Sequence, residues 1–325
     1  MKITILGTGA FGLSLGSLWE QYAEEVNITF YTPFIEEFEE ITQKHTREKV
    51  LPNIILKDDL KITMNLEEAL SQANLVVVAV PCGAVRNVLE QVKKVVKGPH
   101  HYLFVSKGLE KGTNNLMSDL FTFSNLEGTF SFLAGPTFAK ELIQNIPTGM
   151  TLASKDKETI RIVNQLFKNT EIKIETREDL LGVQYASVIK NILAIFMGAL
   201  GTKYPVDSTK AYFMTEIFHQ MKSLILSLGG QKETIDTYAG IGDLLLTCNS
   251  LNSRNYRYGR LLEENREEAE AFLHHNTVEG RYALSAMLSL CQEKKIKVPL
   301  LTLMQSYIDQ QIDLKEVFQK LKEEG

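Results

Sequence analysis

The sequence is poor in the features that mark secreted, metal-binding and membrane proteins. It contains three cysteines in 325 residues. Cys82, Cys248 and Cys291 lie far apart without metal-ligand spacing, which favours small buried thiols in a reducing compartment over disulfides or a metal site. No apolar run reaches the roughly 20 residues of a membrane span, and a strand begins where a signal peptide would stand. We therefore expect a cytoplasmic protein with no metal and no membrane span.

The chain also lacks a strong excess of either charge. Its 35 Lys and Arg residues and 40 Asp and Glu residues give a formal net charge of −5, which argues against nucleic acid or an anionic membrane surface as partner. Apolar content of 44% and charged content of 23% are ordinary for a soluble globular protein. A chain of 325 residues is too long for one small core and indicates about two domains.

A glycine-rich turn stands near the beginning, between the apolar strand Lys2–Leu6 and a helix-compatible segment, Leu13–Ala23. Its glycines are Gly7, Gly9 and Gly12. In the dinucleotide-binding fingerprint the first glycine forms the tight turn, the second lets the backbone approach a pyrophosphate, and the third lets the helix pack on the sheet. The following helix N-terminus offers free N–H groups to the phosphates. The position of this motif predicts a nucleotide site.

Strand, turn and helix patterns alternate up to about residue 180, as a mostly parallel, doubly wound sheet requires. From Asp179 onward the pattern is helical almost throughout. We predict an α/β chain with a Rossmann-like nucleotide-binding domain over residues 1–180 and an all-helical domain over 181–325. The predicted later strands are Val26–Tyr31, Leu75–Val80, Tyr102–Val105, Phe130–Leu133 and Thr148–Ala153, and the predicted later helices include Val183–Leu200, Asp207–Leu228, Arg260–Leu273, Gly280–Glu293, Leu300–Ile308 and Leu314–Lys322.

The end of the second predicted strand leaves the choice of cofactor open. Dinucleotide folds usually place an acidic residue there to bind the ribose, or an arginine to bind a 2′-phosphate. This chain has Thr32, Pro33 and Phe34 instead, and the acidic residues Glu36 and Glu37 come later. Neither NAD nor NADP is therefore favoured by the sequence.

Three short polar segments follow predicted strands, where active crevices of such sheets lie. They are Pro81-Cys82, Ser106-Lys107 and the turn from Gly135 to Thr137. A lysine directly after a buried strand favours a functional role for Lys107, with a side chain that extends from the rim to solvent as the alternative.

A lysine and an asparagine, Lys190 and Asn191, interrupt the apolar helix Val183–Leu200. Such a lysine must either extend to solvent or face a polar cavity. Burial or a nearby cation would lower its pKa, which suits a general base for a secondary alcohol or an acid for the reverse ketone reduction. The sequence leaves a purely structural role equally open.

Two further polar groups follow in the helical part. Asp243 comes after Gly240 and Gly242 and before an apolar run, so it can approach a reacting centre or hold a lysine. Arg254 and Asn255 offer a guanidinium fork and an amide, a suitable pair for a phosphate. Their spacing alone favours a solvated basic loop over a phosphate site.

Taken in order, these motifs resemble those of the NAD(P)-dependent glycerol-3-phosphate dehydrogenases of the bacterial type, over nearly the whole chain. The glycine turn occurs in many families, whereas the ordered set of the other motifs is highly specific. These motifs are Leu51-Pro52, Val80-Pro81, residues 106–110 (SKGLE), residues 135–141 (GPTFAKE), Lys190-Asn191, residues 242–244 (GDL), Thr247-Cys248, residues 253–255 (SRN) and residues 278–280 (VEG).

The resemblance implies interconversion of sn-glycerol 3-phosphate and dihydroxyacetone phosphate by hydride transfer with NAD or NADP, feeding phospholipid synthesis, and it suggests a homodimer. It implies that Lys190 is the proton acceptor, that Lys107 and Asp243 hold and polarise the substrate, and that Arg254 and Asn255 bind its phosphate. Further implied substrate contacts are Gly135, Asn191, Thr247 and Ser253. Implied cofactor contacts are Gly7, Gly9, Ala10, Phe11, Gly12, Lys107, Gly135, Thr137, Ala139, Arg254, Val278 and Glu279.

The chain departs from the family pattern at several positions. Gln184 replaces a usual glutamate, Cys82-Gly83 a common Ser-His, and the Thr32-Pro33 pair lacks a frequent cation. Ala186-Ser187 replaces a Gly-Gly pair, and residues 204–208 replace a glycine-and-asparagine turn. Two alternative hypotheses stay open on these grounds: a related hydroxy-acid or sugar-acid dehydrogenase, and a nucleotide-binding protein without catalysis.

Overall fold

The computed structural model describes residues 1–324, which form two compact units. The first, which we call the sheet unit, comprises residues 1–107 and 115–180. The second, the helical unit, comprises residues 108–114 and the chain from residue 181 onward. The short segment 108–114 thus belongs to the helical unit, although residues before and after it in the sequence build the sheet.

The sheet unit is organised around one eight-stranded sheet with the strand order β3-β2-β1-β4-β5-β6-β7-β8. Neighbouring strands are parallel except β6 and β7, which pair antiparallel. The strands are β1 (Lys2–Leu6), β2 (Asn27–Tyr31), β3 (Ile62–Thr63), β4 (Leu75–Val78), β5 (His100–Phe104), β6 (Gly128–Ala134), β7 (Thr148–Ala153) and β8 (Ile172–Arg177). The prediction of a mostly parallel, doubly wound sheet is confirmed.

Helices cover this sheet and complete its core. The unbroken apolar strand β4 is buried at every position, as a strand covered on both faces must be. Trp19 of α1 is fully buried and meets Phe167 of α7 edge to face, with ring centroids 5.5 Å apart. The helices are α1 (Ala10–Tyr22), α2 (Ile35–Lys44), α3 (Leu66–Leu70), α4 (Val85–Val95), α5 (Met117–Ser124), α6 (Ala139–Ile143) and α7 (Lys157–Phe167).

The helical unit is built around one long helix, α8 (Leu180–Lys203), in which every residue from Gly182 to Leu200 is buried. A helix that is apolar all round must lie in the middle of its domain. Short 3₁₀ and π turns at Lys232–Asp236 and Tyr238–Gly242 precede the second half of the unit. The other helices are α9 (Asp207–Ser227), α10 (Asp243–Asn249), α11 (Arg254–Glu264), α12 (Arg266–His275), α13 (Glu279–Glu293), α14 (Pro299–Ile308) and α15 (Leu314–Glu324).

By length and composition alone, α8 is apolar enough to cross a membrane. However, 89% of its most apolar 18-residue window is buried inside the protein. A membrane-spanning helix would present such a surface to lipid, so the burial identifies α8 as a core helix.

Two elements of the structure differ from the sequence-based expectations for a reason that the structure shows. The strand β8 was not among the predicted strands, because three of its six residues are charged and hide the apolar signal of this edge strand. The single predicted helix Arg260–Leu273 is wrong. Asn265 has an extended backbone, and its side chain accepts hydrogen bonds from the amides of Glu267 and Glu268, so it ends α11 and caps the start of α12.

Candidate active site

The glycine turn between β1 and α1 has the backbone that its sequence predicts. Gly7 has a φ of +111°, in the region that favours glycine, and its amide donates to the carbonyl of Tyr31 at 3.0 Å. A Cβ on Gly12 would lie 2.8 Å from the carbonyl oxygen of Gly7 and 2.9 Å from the Cβ of Ala79. A Cβ on Gly9, in contrast, would meet no atom within 4 Å. The turn is therefore closed toward the sheet and open above Gly9.

The N-terminus of α1 faces this open space without a side-chain cap. Gly9 is the N-cap residue, and the first turn contains no acidic side chain. The first helical hydrogen bond runs from the amide of Leu13 to the carbonyl of Gly9, so the amides of Ala10, Phe11 and Gly12 have no acceptor within the helix. Free amides and the positive end of the helix dipole suit an anion such as a pyrophosphate.

The turns after β5 and β6 meet at the same edge of the sheet. Ser106 is buried, and its hydroxyl donates to the carbonyls of Val78 at 3.1 Å and Val80 at 2.6 Å. The next residue, Lys107, donates from Nζ to the carbonyl of Gly135 at 3.4 Å. The structure thus brings together two predicted site residues that are 28 positions apart in the sequence.

Thr137, in the turn after β6, provides a test of whether this edge fits a ligand. Its amide donates to the carbonyl of Gly135 at 2.9 Å. Its Oγ1 is buried and has no hydrogen-bond partner among residues 1–324. Buried hydroxyls in native proteins are nearly always hydrogen-bonded, so the unsatisfied atom fits a polar group of a bound nucleotide. Ala139 begins α6 close by and packs against the core.

The central polar feature of the helical unit is a buried ion pair. The Nζ of Lys190 lies 2.5 Å from Oδ1 of Asp243. Lys190 is 6% exposed and Asp243 is 1% exposed. The hydroxyl of Thr247, also buried, donates to the carbonyl of Asp243 at 2.6 Å and contacts its Oδ1 at 3.2 Å. A lysine so deep in an apolar helix requires such a counter-charge.

A π turn at Tyr238–Gly242 positions Asp243 as the first residue of α10. The turn is fixed at its start by the hydroxyl of Thr237, which accepts a hydrogen bond from the amide of Gly240 at 3.1 Å. Turns of this type are rare and occur frequently at functional sites. Burial raises the pKa of the neighbouring Cys248 thiol far above its ordinary value, with opposing effects from Lys190 and Asp243. The thiol is therefore neutral and is not a nucleophile.

Asn191, the residue after Lys190, belongs to a second buried network. Its Nδ2 donates to Oε2 of Glu279 at 2.9 Å, and its Oδ1 accepts from Nδ2 of Asn255 at 3.0 Å. The Oδ1 of Asn255 in turn accepts from the amide of Gly280 at 2.9 Å. A Cβ on Gly280 would overlap the carbonyl oxygen of Asn191, so glycine allows α13 to approach α8. Val278, fully buried, precedes this contact.

Arg254 is the first residue of α11 and is exposed. Ser253 caps this helix by accepting a hydrogen bond from the amide of Tyr256 at 3.2 Å. Within the described residues, the side chain of Arg254 makes no hydrogen bond or ion pair. A free guanidinium at a helix N-terminus is well suited to a phosphate. Asn255, predicted to share this role, already uses both of its amide atoms in the network around Asn191.

Sequence reasoning missed one contact of the glycine turn, which is made by the side chain of Glu37. Its carboxylate accepts hydrogen bonds from the hydroxyls of Thr8, in the glycine turn, and Thr32, which follows β2. The only signal in the sequence is the position of Glu37 in the first turn of α2. In residues 1–324, no group of three or more His, Cys, Asp or Glu side chains could hold a metal ion.

Two family models match consecutive parts of the chain. The model of the NAD-dependent glycerol-3-phosphate dehydrogenase N-terminus matches residues 2–160, and the model of the C-terminus of the same enzyme matches residues 179–319. Among curated relatives, the glycerol-3-phosphate dehydrogenase (NAD(P)+) of Fusobacterium nucleatum is 32% identical over 93% of this chain and 90% of its own. That of Lactobacillus helveticus is 34% identical over 92% of this chain and 90% of its own.

Solved structures show the same fold. Glycerol-3-phosphate dehydrogenase from Coxiella burnetii superposes with a TM-score of 0.88 at 26% identity, covering 99% of this chain and 98% of that chain. A D-mandelate dehydrogenase in complex with NADH gives a TM-score of 0.57 at 12% identity over 96% of this chain and 98% of that chain. The second likeness is one of fold alone.

Proposed function

The chain belongs to the NAD-dependent glycerol-3-phosphate dehydrogenase family, and we propose how its residues carry out the reaction of that family. The protein is an oxidoreductase that interconverts sn-glycerol 3-phosphate and dihydroxyacetone phosphate with NAD(P). Family membership decides between this activity and the two alternatives raised by the sequence. The observation that carries the mechanism is the buried pair of Lys190 and Asp243.

The sheet unit holds the dinucleotide. The open space above Gly9 and the amides at the start of α1 would hold the pyrophosphate of the dinucleotide. Thr137 Oγ1, buried without a partner in the described chain, contributes a polar contact. When bound, the nicotinamide ring supplies or accepts the hydride. The remaining proposed cofactor contacts are Gly7, Ala10, Phe11, Gly12, Lys107, Gly135, Ala139, Arg254, Val278 and Glu279.

Lys190 moves the proton. In the reduction its ammonium donates a proton to the C2 oxygen of dihydroxyacetone phosphate, and in the oxidation its neutral amine accepts the proton of the C2 hydroxyl. Asp243 holds the Nζ of Lys190 in place at 2.5 Å. The carboxylate of Asp243 favours the charged ammonium form of Lys190. The pair therefore suits the reduction, in which Lys190 begins as the acid.

Arg254 binds the phosphate of the substrate, because it is an exposed guanidinium with no other partner in the described chain, at a capped helix N-terminus. Lys107 contributes a second positive charge toward the substrate oxygens. Asn191, Thr247, Ser253 and Asn255 complete the proposed substrate contacts, with Asn255 acting mainly by holding Asn191.

We extend the proposal to organisation and physiology. Residues 1–180 form the nucleotide-binding domain and residues 181–325 the catalytic domain of a cytoplasmic homodimer. The reaction in the reducing direction supplies glycerol 3-phosphate for phospholipid synthesis. Light scattering after size-exclusion chromatography measures the oligomeric state, and a monomeric mass would contradict the dimer.

The substrate is tested by comparing turnover of glycerol 3-phosphate, plain glycerol and 6-phosphogluconate with the purified protein and either oxidised cofactor. We expect glycerol 3-phosphate to react far faster than glycerol, which gives Arg254 nothing to bind. Equal turnover of plain glycerol would contradict the phosphate site, and faster turnover of 6-phosphogluconate would contradict the substrate assignment.

A further inference from the structure

The carboxylate of Glu37 is fixed by three side chains in the sheet unit. Its Oε2 accepts hydrogen bonds from the hydroxyl of Thr8 and, at 2.8 Å, from that of Thr32. Its Oε1 lies 2.8 Å from the NH2 group of Arg47. The Glu37 side chain remains 26% exposed, so the carboxylate is oriented by its neighbours and still accessible to a ligand.

These contacts place the carboxylate at the edge of the sheet where the fold binds an adenosine ribose. Thr8 directly follows the first glycine after β1, and Thr32 directly follows β2. The two strands are parallel neighbours, with Leu6 opposite Tyr31 at their ends. In dinucleotide folds the acidic residue at the end of the second strand accepts a hydrogen bond from the ribose 2′-hydroxyl. Glu37 is not at that sequence position, but its carboxylate reaches it from α2.

Arg47, the arginine that pairs with this carboxylate, is bound to a second carboxylate as well. Arg47 is buried, with its side chain 8% exposed, and its guanidinium also binds Oε2 of Glu40 at 2.6 Å. Two carboxylates share one guanidinium, so the group carries a net negative charge. A buried arginine held by two carboxylates is not available to a 2′-phosphate, whose own charge of about −2 would be repelled.

We infer that Glu37 determines the cofactor preference of this chain and that it binds NAD(H) in preference to NADP(H). The inference rests on the proposed nucleotide site. Glu37 accepts a hydrogen bond from the 2′-hydroxyl of NAD(H), and it repels the 2′-phosphate of NADP(H). Thr8 and Thr32 hold the carboxylate toward the ribose, and Arg47 fixes its other oxygen.

The test is direct binding without substrate. Dissociation constants of NADH and NADPH are measured from nicotinamide fluorescence for the wild type, Glu37→Gln and the control Glu39→Gln. Glu39 is exposed on the same helix. Its substitution removes the same charge as Glu37→Gln does, but at a position away from the glycine turn. We expect the wild type and Glu39→Gln to bind NADH at least about tenfold more tightly than NADPH, the scale of one charge-assisted hydrogen bond. Glu37→Gln should lower this ratio by about tenfold, through weaker NADH binding and tighter NADPH binding.

A second measurement removes the nicotinamide ring from the comparison. 5′-AMP should raise the thermal unfolding midpoint of the wild type, and 2′,5′-ADP at the same concentration should raise it less, because the two differ only in the 2′-phosphate that 2′,5′-ADP brings to Glu37. The unfolding midpoint of each variant without ligand shows whether it is folded.

Three results would overturn the inference. The first is a wild type that binds NADPH as tightly as NADH, which needs no variant. The second is a folded Glu37→Gln protein with an unchanged ratio, and the third is an equal change in Glu39→Gln. If the enzyme still reduces dihydroxyacetone phosphate in these cases, only the preference is refuted. Failure to bind either cofactor would refute the nucleotide site and the preference together.

Discussion

Replacing Lys190 by alanine tests its proposed chemical role and its structural role at the same time. The change removes the proton donor and acceptor, and general acid–base catalysis contributes about 10²–10⁴-fold to rate. It also leaves the carboxylate of Asp243, 1% exposed, without its counter-charge. Breaking a buried pair in this way destabilises a protein by about 3–5 kcal/mol. Both consequences lower activity, so a single variant cannot separate them.

The double variant Lys190→Ala/Asp243→Asn separates the two effects. With both charges removed, much of the lost stability should return, because no unpaired charge stays buried. Turnover should remain about 10²–10⁴-fold below the wild type, equivalent to about 3–5 kcal/mol in the activation barrier. Stability is measured by urea unfolding followed by circular dichroism, and turnover by the loss of reduced cofactor with saturating dihydroxyacetone phosphate.

Added amines should restore activity to Lys190→Ala only if the lysine acts chemically, and a purely structural role predicts no such effect. Ammonium or methylamine can enter the space vacated by the lysine side chain and bind Asp243, so turnover of Lys190→Ala should rise with amine concentration. The wild type should be insensitive, and the double variant, which lacks the carboxylate, should respond little. Near-full turnover of folded Lys190→Ala without amine would refute the proton-transfer role.

Two further predictions concern single side chains. Arg254→Ala should raise the KM for glycerol 3-phosphate by about 10–150-fold, the effect of losing about 1.5–3 kcal/mol from a charged hydrogen bond. The control is Arg260→Ala, which removes an arginine already paired with Glu264 at 2.5 Å. An unchanged KM in Arg254→Ala would count against the phosphate site. Burial raises the pKa of Asp156, but hydrogen bonds from Thr159 and the charge of His101 outweigh it and hold the pKa below 3.8. A carboxylate whose pKa is lower in the folded state than in the unfolded state stabilises the fold at any pH above its unfolded pKa. This stabilisation is lost as the pH falls through the folded pKa. Asp156→Asn should therefore destabilise the protein in urea at neutral pH, with a difference that shrinks below about pH 4; a difference that is constant with pH would contradict this.

The sequence predicts best what neighbouring residues determine. The strand, glycine turn and helix of residues 2–22 follow from local patterns, and so does the cap of α3, where Asn65 accepts from the amides of Glu67 and Glu68. Strand β8 was not predicted because charged side chains occupy alternate positions along it. It lies at the edge of the sheet, where a strand does not require apolar residues.

Contacts between residues far apart in the chain could not be predicted from the sequence. The hydroxyl of Thr8 meets Glu37 across 29 positions, and Asn255 meets Asn191 across 64. No period or motif encodes such a contact, because it depends on which elements pack side by side. This is why Glu37 was noted only as an acidic residue beyond the strand, and why Asn255 was assigned to a phosphate while its amide holds two helices together.

The two polar residues of α8 explain why this helix must be positioned accurately. Lys190 and Asn191 are adjacent, so their side chains leave the helix about 100° apart and meet different partners. Lys190 is held by Asp243 of α10, and Asn191 by Glu279 of α13 and Asn255 of α11. A shift or rotation of α8 would break both networks and leave buried polar groups unpaired, each at a cost of about 1–3 kcal/mol. Asp243 thus fixes the amine of Lys190, and the Asn191 network fixes the helix that carries it, which the proposed proton-transfer role requires if the amine is to meet the same substrate oxygen in every turnover.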